Sequence, residues 1–395
     1  MMEFKKYKLG ECVEILDNRR IPLSSIQRKE LNKVYPYYGA QGIIDYVDDY
    51  LFDGDYVLVA EDGNNLKSRV EPIAIWASGK FWVNNHAHIL GEKNGFDLKY
   101  IYYLLNNTDI RGFISGSAQP KLNQENMSEI LVALPSLSIQ RNISSFLFSL
   151  DSKISLNQAI NRNLESIAKQ LYDYWFVQFD FPNEEGKPYK SSGGKMVWNE
   201  VLKREIPEGW EVKPLFESVS VQYGFPFSTE SFTEEVTNIP VVRIRDILDG
   251  TISAYSFEET DEKYHLNEGD VLVGMDGNFH MNYWHNNNAY LNQRCVRIRP
   301  YSNSPISSIQ VLYSIKPFIK AKEQNAKGST VGHLSDKDMK GLFLLEPKMS
   351  QAFNPRKVFD SILKQAIKGK QEINTLTRQR DELLPLLMNG QVTVE

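Results

Sequence analysis

An internal duplication constrains the fold of this chain more than any other feature of its sequence. The segment GSAQPKLNQENM, which begins at Gly116, returns 212 positions later as GSTVGHLSDKDM at Gly328. Upstream, VLVAEDGN from Val57 is matched by VLVGMDGN from Val271 at an offset of 214, as loops of different length would produce. Two copies are too few for a solenoid, so the sequence predicts two similar domains related by a pseudo-two-fold axis.

Each copy begins with short strand signals that are broken by turns. Apolar, β-branched runs at 57–59, 73–76 and 271–273 each precede a turn that contains glycine, and the second run is predicted to end before Gly79. Later in each copy the pattern changes to a helical period. The sequence therefore predicts an α+β protein in which each copy has short strands first and a long helix after them.

A long apolar seam closes each copy, with steps that alternate between three and four residues. Such a seam predicts a helix of about 35 to 40 residues. The seam residues are Ile143, Leu147, Leu150, Ile154, Leu164 and Leu171 in the first copy, and Phe359, Ile362, Ile373, Leu376 and Leu383 in the second. Two such helices in one duplicated chain are expected to pair as an antiparallel coiled coil. The alternative is that each helix belongs to a separate globular core.

Polar or small residues interrupt both seams, at Asn157, Asn161, Gly369 and Arg380. Such positions cost stability, but they can fix one register of a helix pair against slippage. Pro385 is expected to kink or end the second helix, since proline removes a helical hydrogen bond.

These patterns give the domain boundaries. We expect a first domain at 1–135, its long helix at 136–180, a linker at 181–204, a second domain at 205–347 and a final long helix at 348–395. The linker is predicted because its composition is rich in Gly, Pro, Ser and charged residues.

The charge of the chain argues against binding to nucleic acid by bulk electrostatics. The net charge is −5, and the two predicted domains are acidic: 15 basic against 18 acidic residues in 1–135, and 13 against 20 in 205–347. Neutralising phosphates requires clustered lysine and arginine. A role in DNA binding would therefore depend on local patches or on partner proteins.

Signatures of catalysis or of a bound cofactor are missing from the sequence. It contains no G-x-G-x-x-G after a strand, no Walker loop and no Asn-Pro-Pro or Asp-Pro-Pro aromatic motif. His86 and His88 share a strand face, but no third zinc ligand has suitable spacing, so no metal site is predicted. The carboxylates at 53–62 are expected to flank turns rather than bind a metal ion. Cys12 and Cys295 are expected to be buried thiols.

Two further features leave alternatives open. The aromatic run YDYWFVQFDF from Tyr172 could stack on single-stranded bases, but it is more typical of a helix end that closes against a neighbouring domain or another protein. The duplicated Gly-Ser turns carry Gln and Lys in one copy and Thr and His in the other. Such side chains can reach base edges or phosphates, although a solvated loop would have a similar composition.

Several motifs resemble the specificity subunits of type I restriction-modification systems. They are MVWNEVLKREIPEGWEV before the second domain, YYGAQGIIDY from Tyr37, GKFWVNNHAHIL from Gly79, the repeated Gly-Ser turn, and LLPLLMNGQV from Leu383. The resemblance covers nearly the whole chain. It implies a noncatalytic subunit with two target recognition domains, mixed α/β in fold, each of which reads one half of a split double-stranded DNA sequence, with the long helices as spacers.

The same resemblance implies partners and a cellular location. Two modification subunits would bring S-adenosylmethionine, and restriction subunits driven by ATP with Mg would join them. The chain itself is expected to bind no cofactor and no metal, to have no membrane segment, and to act in the prokaryotic cytoplasm. Two rival hypotheses are an enzyme in its own right, either nuclease or methyltransferase, and a coiled-coil adaptor that binds only proteins.

Candidate DNA-binding residues follow from the changed loops and from the polar residues beside the predicted strands. They are Lys67, Arg69, Asn84, Asn85, Gln119 and Lys121 in the first domain, and Arg243, Arg245, Gln293, Arg294, Thr330 and His333 in the second.

Overall fold

The computed structural model describes residues 3–116, 119–236, 238–326, 332–350 and 352–394. The chain divides into two compact units. Unit 1 comprises Met1–Lys153 and Leu376–Glu395, and unit 2 comprises Ile154–Thr375.

Unit 1 is built on a six-stranded sheet in the order β2-β7-β5-β6-β3-β4, beside a two-stranded β1-β8 sheet. Its strands are β1 Lys5–Lys8, β2 Glu14–Ile15, β3 Tyr35–Gly39, β4 Gly42–Val47, β5 Phe52–Ala60, β6 Ala74–Val83, β7 Ala87–Gly91 and β8 Leu131–Leu134. Its helices are α1 Leu9–Cys12, α2 Ser25–Lys29, α3 Asn65–Ser68, α4 Leu98–Asn107, α5 Gln124–Ser128 and the first part of α6, Leu137–Tyr172. The end of β5, from Val57 to Ala60, is buried on both faces and forms part of the core.

Unit 2 contains two four-stranded sheets, in the orders β12-β19-β16-β17 and β13-β15-β14-β18, and the pairs β9-β10 and β11-β20. Its strands are β9 Met196–Asn199, β10 Arg204–Pro207, β11 Glu211–Pro214, β12 Val219–Tyr223, β13 Phe232–Thr233, β14 Ile239–Val242, β15 Tyr255–Ser256, β16 Val271–Gly274, β17 Met281–Tyr283, β18 Tyr290–Leu291, β19 Cys295–Pro300 and β20 Phe343–Glu346. Its helices are α7 Leu215–Ser218, α8 Ser308–Ala326, α9 Asp336–Lys340 and most of α10, Pro355–Met388.

The two units repeat the same order of elements. The β1-β8 pair of unit 1 corresponds to β11-β20 of unit 2, and the antiparallel β5-β7 pair corresponds to β16-β19. Helices α5 and α9 begin at equivalent caps: the Asn123 side chain accepts a hydrogen bond from the N–H of Asn126 at 2.7 Å, and the Ser335 hydroxyl accepts one from Asp338 at 3.2 Å. The predicted α+β duplication is confirmed.

In unit 2 the two long helices pack together and run antiparallel. Near the middle of the pair, Gly369 of α10 lies directly against the amide of Asn161 of α6. Further along, Trp175, which follows α6, packs on Phe359 with ring centroids 5.4 Å apart. Along the pair, residue numbers fall from 369 to 359 on α10 while they rise from 161 to 175 on α6 and the turn after it, so the two helices run in opposite directions.

In unit 1 the other parts of the same helices also pair in antiparallel fashion. A guanidinium nitrogen of Arg380 lies 2.8 Å from the carboxylate of Asp151, which also accepts a hydrogen bond of 2.5 Å from the hydroxyl of Tyr103. The buried side chains of Leu147 and Leu387 belong to one apolar cluster. Arg380, the charged residue that interrupts the apolar seam of α10, is therefore paired with the carboxylate of Asp151.

The burial of the seam residues varies along the helices. The buried ones are Ile143, Leu147, Leu150, Ile154, Phe359 and Leu376, and the partly buried ones are Leu164, Leu171, Ile362, Ile373 and Leu383. Apolar residues every three or four positions place these side chains on one stripe of each helix.

Two element boundaries differ from those expected. Strand β6 does not end before Gly79 but continues to Val83, because Gly79 pairs with Gly54 of β5 and both glycines adopt positive φ. Helix α10 does not end at Pro385: it continues to Met388, and the N–H of Asn389 donates to the carbonyl of Pro385. In the last turn a proline removes a single helical bond.

The segment predicted as a linker, 181–204, is folded. Strands β9 and β10 pair as a hairpin, and Phe181 stacks on Tyr189 with ring centroids 4.6 Å apart. In the aromatic run, Trp175, Phe176 and Phe179 are buried in the core of unit 2. These rings close the end of the helix, and because they are covered they cannot stack on bases.

Among the described residues, no helix is both long and apolar enough to cross a membrane.

Candidate nucleic-acid interface

At one edge of unit 1, two backbone hydrogen bonds join the loop around Asp62 to the segment around Lys121, and we call this pair of bonds the backbone frame. The N–H of Leu122 donates to the carbonyl of Glu61 at 2.8 Å, and the N–H of Gly63 donates to the carbonyl of Pro120 at 3.3 Å. The loop after β5 is thereby tied to the segment before α5. This frame places Lys121, which is exposed, beside Asp62.

Unit 2 has the same frame at the equivalent place. The N–H of Leu334 donates to the carbonyl of Met275 at 2.8 Å, and the N–H of Gly277 donates to the carbonyl of Gly332 at 3.0 Å. Here the exposed residue is His333, which lies beside Asp276 as Lys121 lies beside Asp62. The frame is therefore kept while the side chain that it presents is changed.

In unit 1 the frame borders a concavity of about 330 Å³, whose lining includes Gln41, Asp62, Asn84 and His86. The carboxylate of Asp62 is 2.7 Å from Nδ1 of His86. Asn84 is buried, and its side-chain oxygen accepts a hydrogen bond from the N–H of His86 at 2.8 Å. Asn84 thus supports the loop and lines the concavity. The next residue, Asn85, is exposed.

In unit 2 the carboxylate of Asp276 has two cationic or potentially cationic neighbours. Nδ1 of His333 lies 2.6 Å away, and Nε of Arg294 lies 3.3 Å away. Gln293 is exposed beside them. The backbone of Arg294 is left-handed, with φ of 70°, which side chains other than glycine rarely adopt.

A second polar concavity of unit 1, of about 390 Å³, contains two other predicted residues, Lys67 and Arg69. Lys67 is exposed, and its Nζ donates to the carbonyl of Gly116 at 3.1 Å. Arg69 donates to the carbonyl of Asn106 at 2.6 Å, and burial lowers the pKa of its guanidinium. Arg69 therefore holds the end of α4, while Arg111, which the sequence did not indicate, is exposed on the same rim.

Arg243 and Arg245 form a separate group in unit 2 around Ser253. Arg243 donates to the carbonyl of Ser253 at 2.7 Å, and Nε of Arg245 lies 3.0 Å from the Ser253 hydroxyl. Burial, and after it the charge of Arg245, lowers the pKa of Arg243. Ser253 in turn donates to the buried Asp246. Arg245 is the exposed member of this group.

The structure thus brings together part of the predicted set in each unit. In unit 1, Asn84, Asn85 and Lys121 lie around the Asp62 loop, and Gln119 is exposed two residues before Lys121. In unit 2, Arg294 and His333 meet at Asp276. Thr330 lies outside the described residues.

Sequence reasoning missed Asp62, Asp276, His86 and Gln41 as members of these groups. His86 was considered only as a zinc ligand. An available signal was the match of VNNHAH at 83–88 with LNQRCV at 291–296, which aligns His86 with Arg294.

His88, the other histidine of that strand, belongs to the core. Its Nδ1 is 2.5 Å from Asp17 and its Nε2 is 2.7 Å from the carbonyl of Leu122. Burial would raise the pKa of Asp17, but the hydrogen bond and charge of His88 and the N–H of Ile89 outweigh it, so the pKa is lowered.

The described residues contain no group of three or more His, Cys, Asp or Glu that could hold a metal ion.

Comparison with known proteins agrees with this architecture. The family model described as the type I restriction modification DNA specificity domain matches residues 1–166 and again 207–380. The chain belongs to this family, whose members are the specificity subunits, and not the catalytic subunits, of type I restriction-modification systems.

Individual relatives are similar over different lengths. The type I restriction enzyme MjaIX specificity subunit of Methanocaldococcus jannaschii is 25% identical over 328 residues, which are 77% of this chain and 71% of that protein. A Haemophilus influenzae protein assigned as a type I specificity subunit is 37% identical over 148 residues, and the match spans 37% of its length. The crystal structure of a type I S subunit from M. genitalium has the same fold, with a TM-score of 0.65 and 16% identity over 98% of this chain and 96% of that one.

Proposed function

We propose that this chain reads a bipartite sequence in double-stranded DNA, with each unit recognising one part. The observation that carries the proposal is the repeated frame with altered side chains. Lys121 in unit 1 and His333 in unit 2 stand at equivalent positions next to Asp62 and Asp276. A scaffold that is kept while its presented side chains differ suits two unlike half-sites.

The chemistry of the exposed residues supports reading of base edges. Asn, Gln, Lys and Arg are the side chains that make hydrogen bonds to bases in the major groove. Asn85 and Lys121 are exposed in unit 1, as are Gln293 and Arg294 in unit 2. Because the net charge of the chain is −5, we expect partner proteins to supply many of the phosphate contacts.

We further propose that the chain assembles with two modification subunits and with restriction subunits. An exposed apolar row supports docking of a partner: Leu156, Ile160 and Ile167 of α6 are 60, 44 and 47% exposed, and Tyr174, in the π-helical turn Asp173–Val177 that follows α6, is 38% exposed. Positions 160 and 167 are seven residues apart and therefore lie on one face of α6. S-adenosylmethionine, ATP and Mg would be bound by those partners, and the complex would act in the prokaryotic cytoplasm.

Mapping N6-methyladenine across the host genome tests the proposed function. The wild-type strain, a strain in which this gene is deleted and a strain in which the gene is restored should be compared. We expect one split motif to be methylated in the wild type, to lose methylation on deletion and to regain it on restoration. Methylation that is identical in all three strains would contradict the proposal.

A further inference from the structure

Two carboxylates occupy the same place in the two units, and the contacts of their side chains differ. Asp62 follows β5 and Asp276 follows β16, within the matched segments VLVAEDGN and VLVGMDGN. Each lies in the loop that the backbone frame ties to the segment before α5 or α9. The position of these carboxylates is therefore fixed by hydrogen bonds of the scaffold and not by the residues that they contact.

In unit 1 the carboxylate holds a histidine. The side chain of Asp62 is 16% exposed, whereas that of His86, whose Nδ1 lies 2.7 Å away, is 50% exposed. An imidazole whose Nδ1 is bound to a carboxylate has its ring plane and tautomer set, and it directs Nε2 away from that carboxylate. His86 is in this way held with half of its surface open to solvent.

In unit 2 the equivalent carboxylate holds different groups. Arg294, which aligns with His86, is 58% exposed and its Nε lies 3.3 Å from Asp276. His333, at the position of Lys121, is 47% exposed and its Nδ1 lies 2.6 Å from the same carboxylate. The left-handed backbone of Arg294 is a conformation that persists only when the surroundings hold it.

We propose that Asp62 and Asp276 are equivalent positioning residues, each of which orients exchangeable side chains toward base edges of duplex DNA. The oriented side chains are His86 in unit 1, and Arg294 and His333 in unit 2. A long side chain that is free in solvent loses rotamer entropy when it binds, and a side chain that is already held loses less. The carboxylate thus increases selectivity without touching the DNA.

This inference rests on the proposed function and deepens it. It adds His86 to the residues that determine specificity. Each carboxylate is also partly covered by the side chains that it orients, with Asp62 16% and Asp276 31% exposed, which limits its approach to DNA phosphates.

A double-mutant cycle in the full-length chain tests the inference. The host strain should carry Asp62→Asn, His86→Ala or both, and the methylated motif should be mapped for each. We expect Asp62→Asn to reduce base discrimination in one half of the motif by about fivefold or more, within the range of a lost oriented base contact, and to leave the other half unchanged. In the His86→Ala background, Asp62→Asn should have no further effect, because its partner is already absent.

The structure offers a matched control in the same unit. Glu129 lies 2.6 Å from Nζ of Lys8, and both side chains are about half exposed, at 53% and 51%. Glu129→Gln therefore removes a carboxylate that also contacts a half-exposed basic side chain, and we expect it to leave both halves of the motif unchanged. Asp276→Asn provides the reciprocal variant, for which we expect the loss of discrimination in the other half alone.

The possible outcomes are distinct. If the wild-type chain directs no split motif, the proposed function fails. If the wild type directs one and both Asp62→Asn and Asp276→Asn leave it unchanged, the positioning role alone is overturned. An effect of Asp62→Asn that persists in the His86→Ala background also overturns the positioning role, because it indicates direct contact of the carboxylate with DNA. A uniform loss of discrimination in both halves overturns it as well, because it indicates a fault in folding or in phosphate binding.

Discussion

At the scale of single residues, His285 in unit 2 is the clearest case of a titratable group held in one charge state. It is 2% exposed, and Asn374 donates a hydrogen bond of 3.0 Å to its Nε2. Burial, followed by the nearby charge of Lys370, lowers the pKa of His285 to about 4, although Glu268 acts in the opposite direction. His285 is therefore neutral in the folded protein at neutral pH.

This state makes the stability of unit 2 depend on pH. An unfolded histidine takes up a proton below about pH 6.5, whereas folded His285 does so only near pH 4, so acid favours the unfolded state between these values. From pH 7 to pH 5 we expect the wild type to lose about 2 kcal/mol more unfolding free energy than His285→Gln, which has no titrating group. Urea unfolding of both proteins at the two pH values measures this difference. An equal loss in both would contradict it.

Residue-level function was only partly predictable from the sequence. The exposure of Lys121 and Gln293 agrees with the composition of their loops. The roles of Arg69 and Asn84 did not follow from it, because each depends on backbone groups that the fold brings within reach. A polar residue near a strand has the same appearance in a sequence whether it supports a loop or faces solvent.

At the scale of elements, the two long helices meet at a small residue and an amide. A Cβ at position 369 would lie 2.5 Å from Oδ1 of Asn161, so only glycine fits against this side chain without a shift. Asn161 is 6% exposed, and neither of its amide atoms has a hydrogen-bond partner among the described residues. The contact is therefore close in space but unfavourable for the amide.

The effect of Gly369→Ala on the free energy of unfolding should depend on which residue stands at position 161. Alanine is favoured over glycine in a helix by about 1 kcal/mol, but overpacking against a buried side chain costs about 1–3 kcal/mol. We expect Gly369→Ala to destabilise the wild type by roughly 1 kcal/mol and to stabilise an Asn161→Ala variant by a similar amount. Denaturant unfolding of the four proteins checks this cycle. Stabilisation in both backgrounds would show that Asn161 does not restrict residue 369.

The helices themselves were predictable because periodicity is a local signal. Apolar residues spaced three and four positions apart indicated both helices and their seams. The expectation that the two helices pair in antiparallel fashion followed from the duplication. The continuation of α10 through Pro385 was not predictable, since it depends on how near the proline lies to the end of the helix.

At the scale of the whole molecule, the duplication accounts for most of what the sequence could establish. Two matched segments predicted two units with one order of elements, and the structure has this order. The folding of 181–204 was missed because a composition rich in Gly, Pro and Ser outweighed its few aromatic residues, among them Phe181, which is buried in the core of unit 2, and Tyr189, which packs against that core. Composition averages over a segment, whereas packing depends on single side chains.

If this chain recognises two unlike DNA sequences, selection from a random duplex library will recover both of them. The full-length chain, purified from its host together with the subunits that accompany it, should be used to retain duplexes for sequencing. We predict two short enriched blocks that differ from each other and are joined by an unread spacer of constant length. A single continuous block, or no enrichment at all, would show that the two units do not recognise separate half-sites.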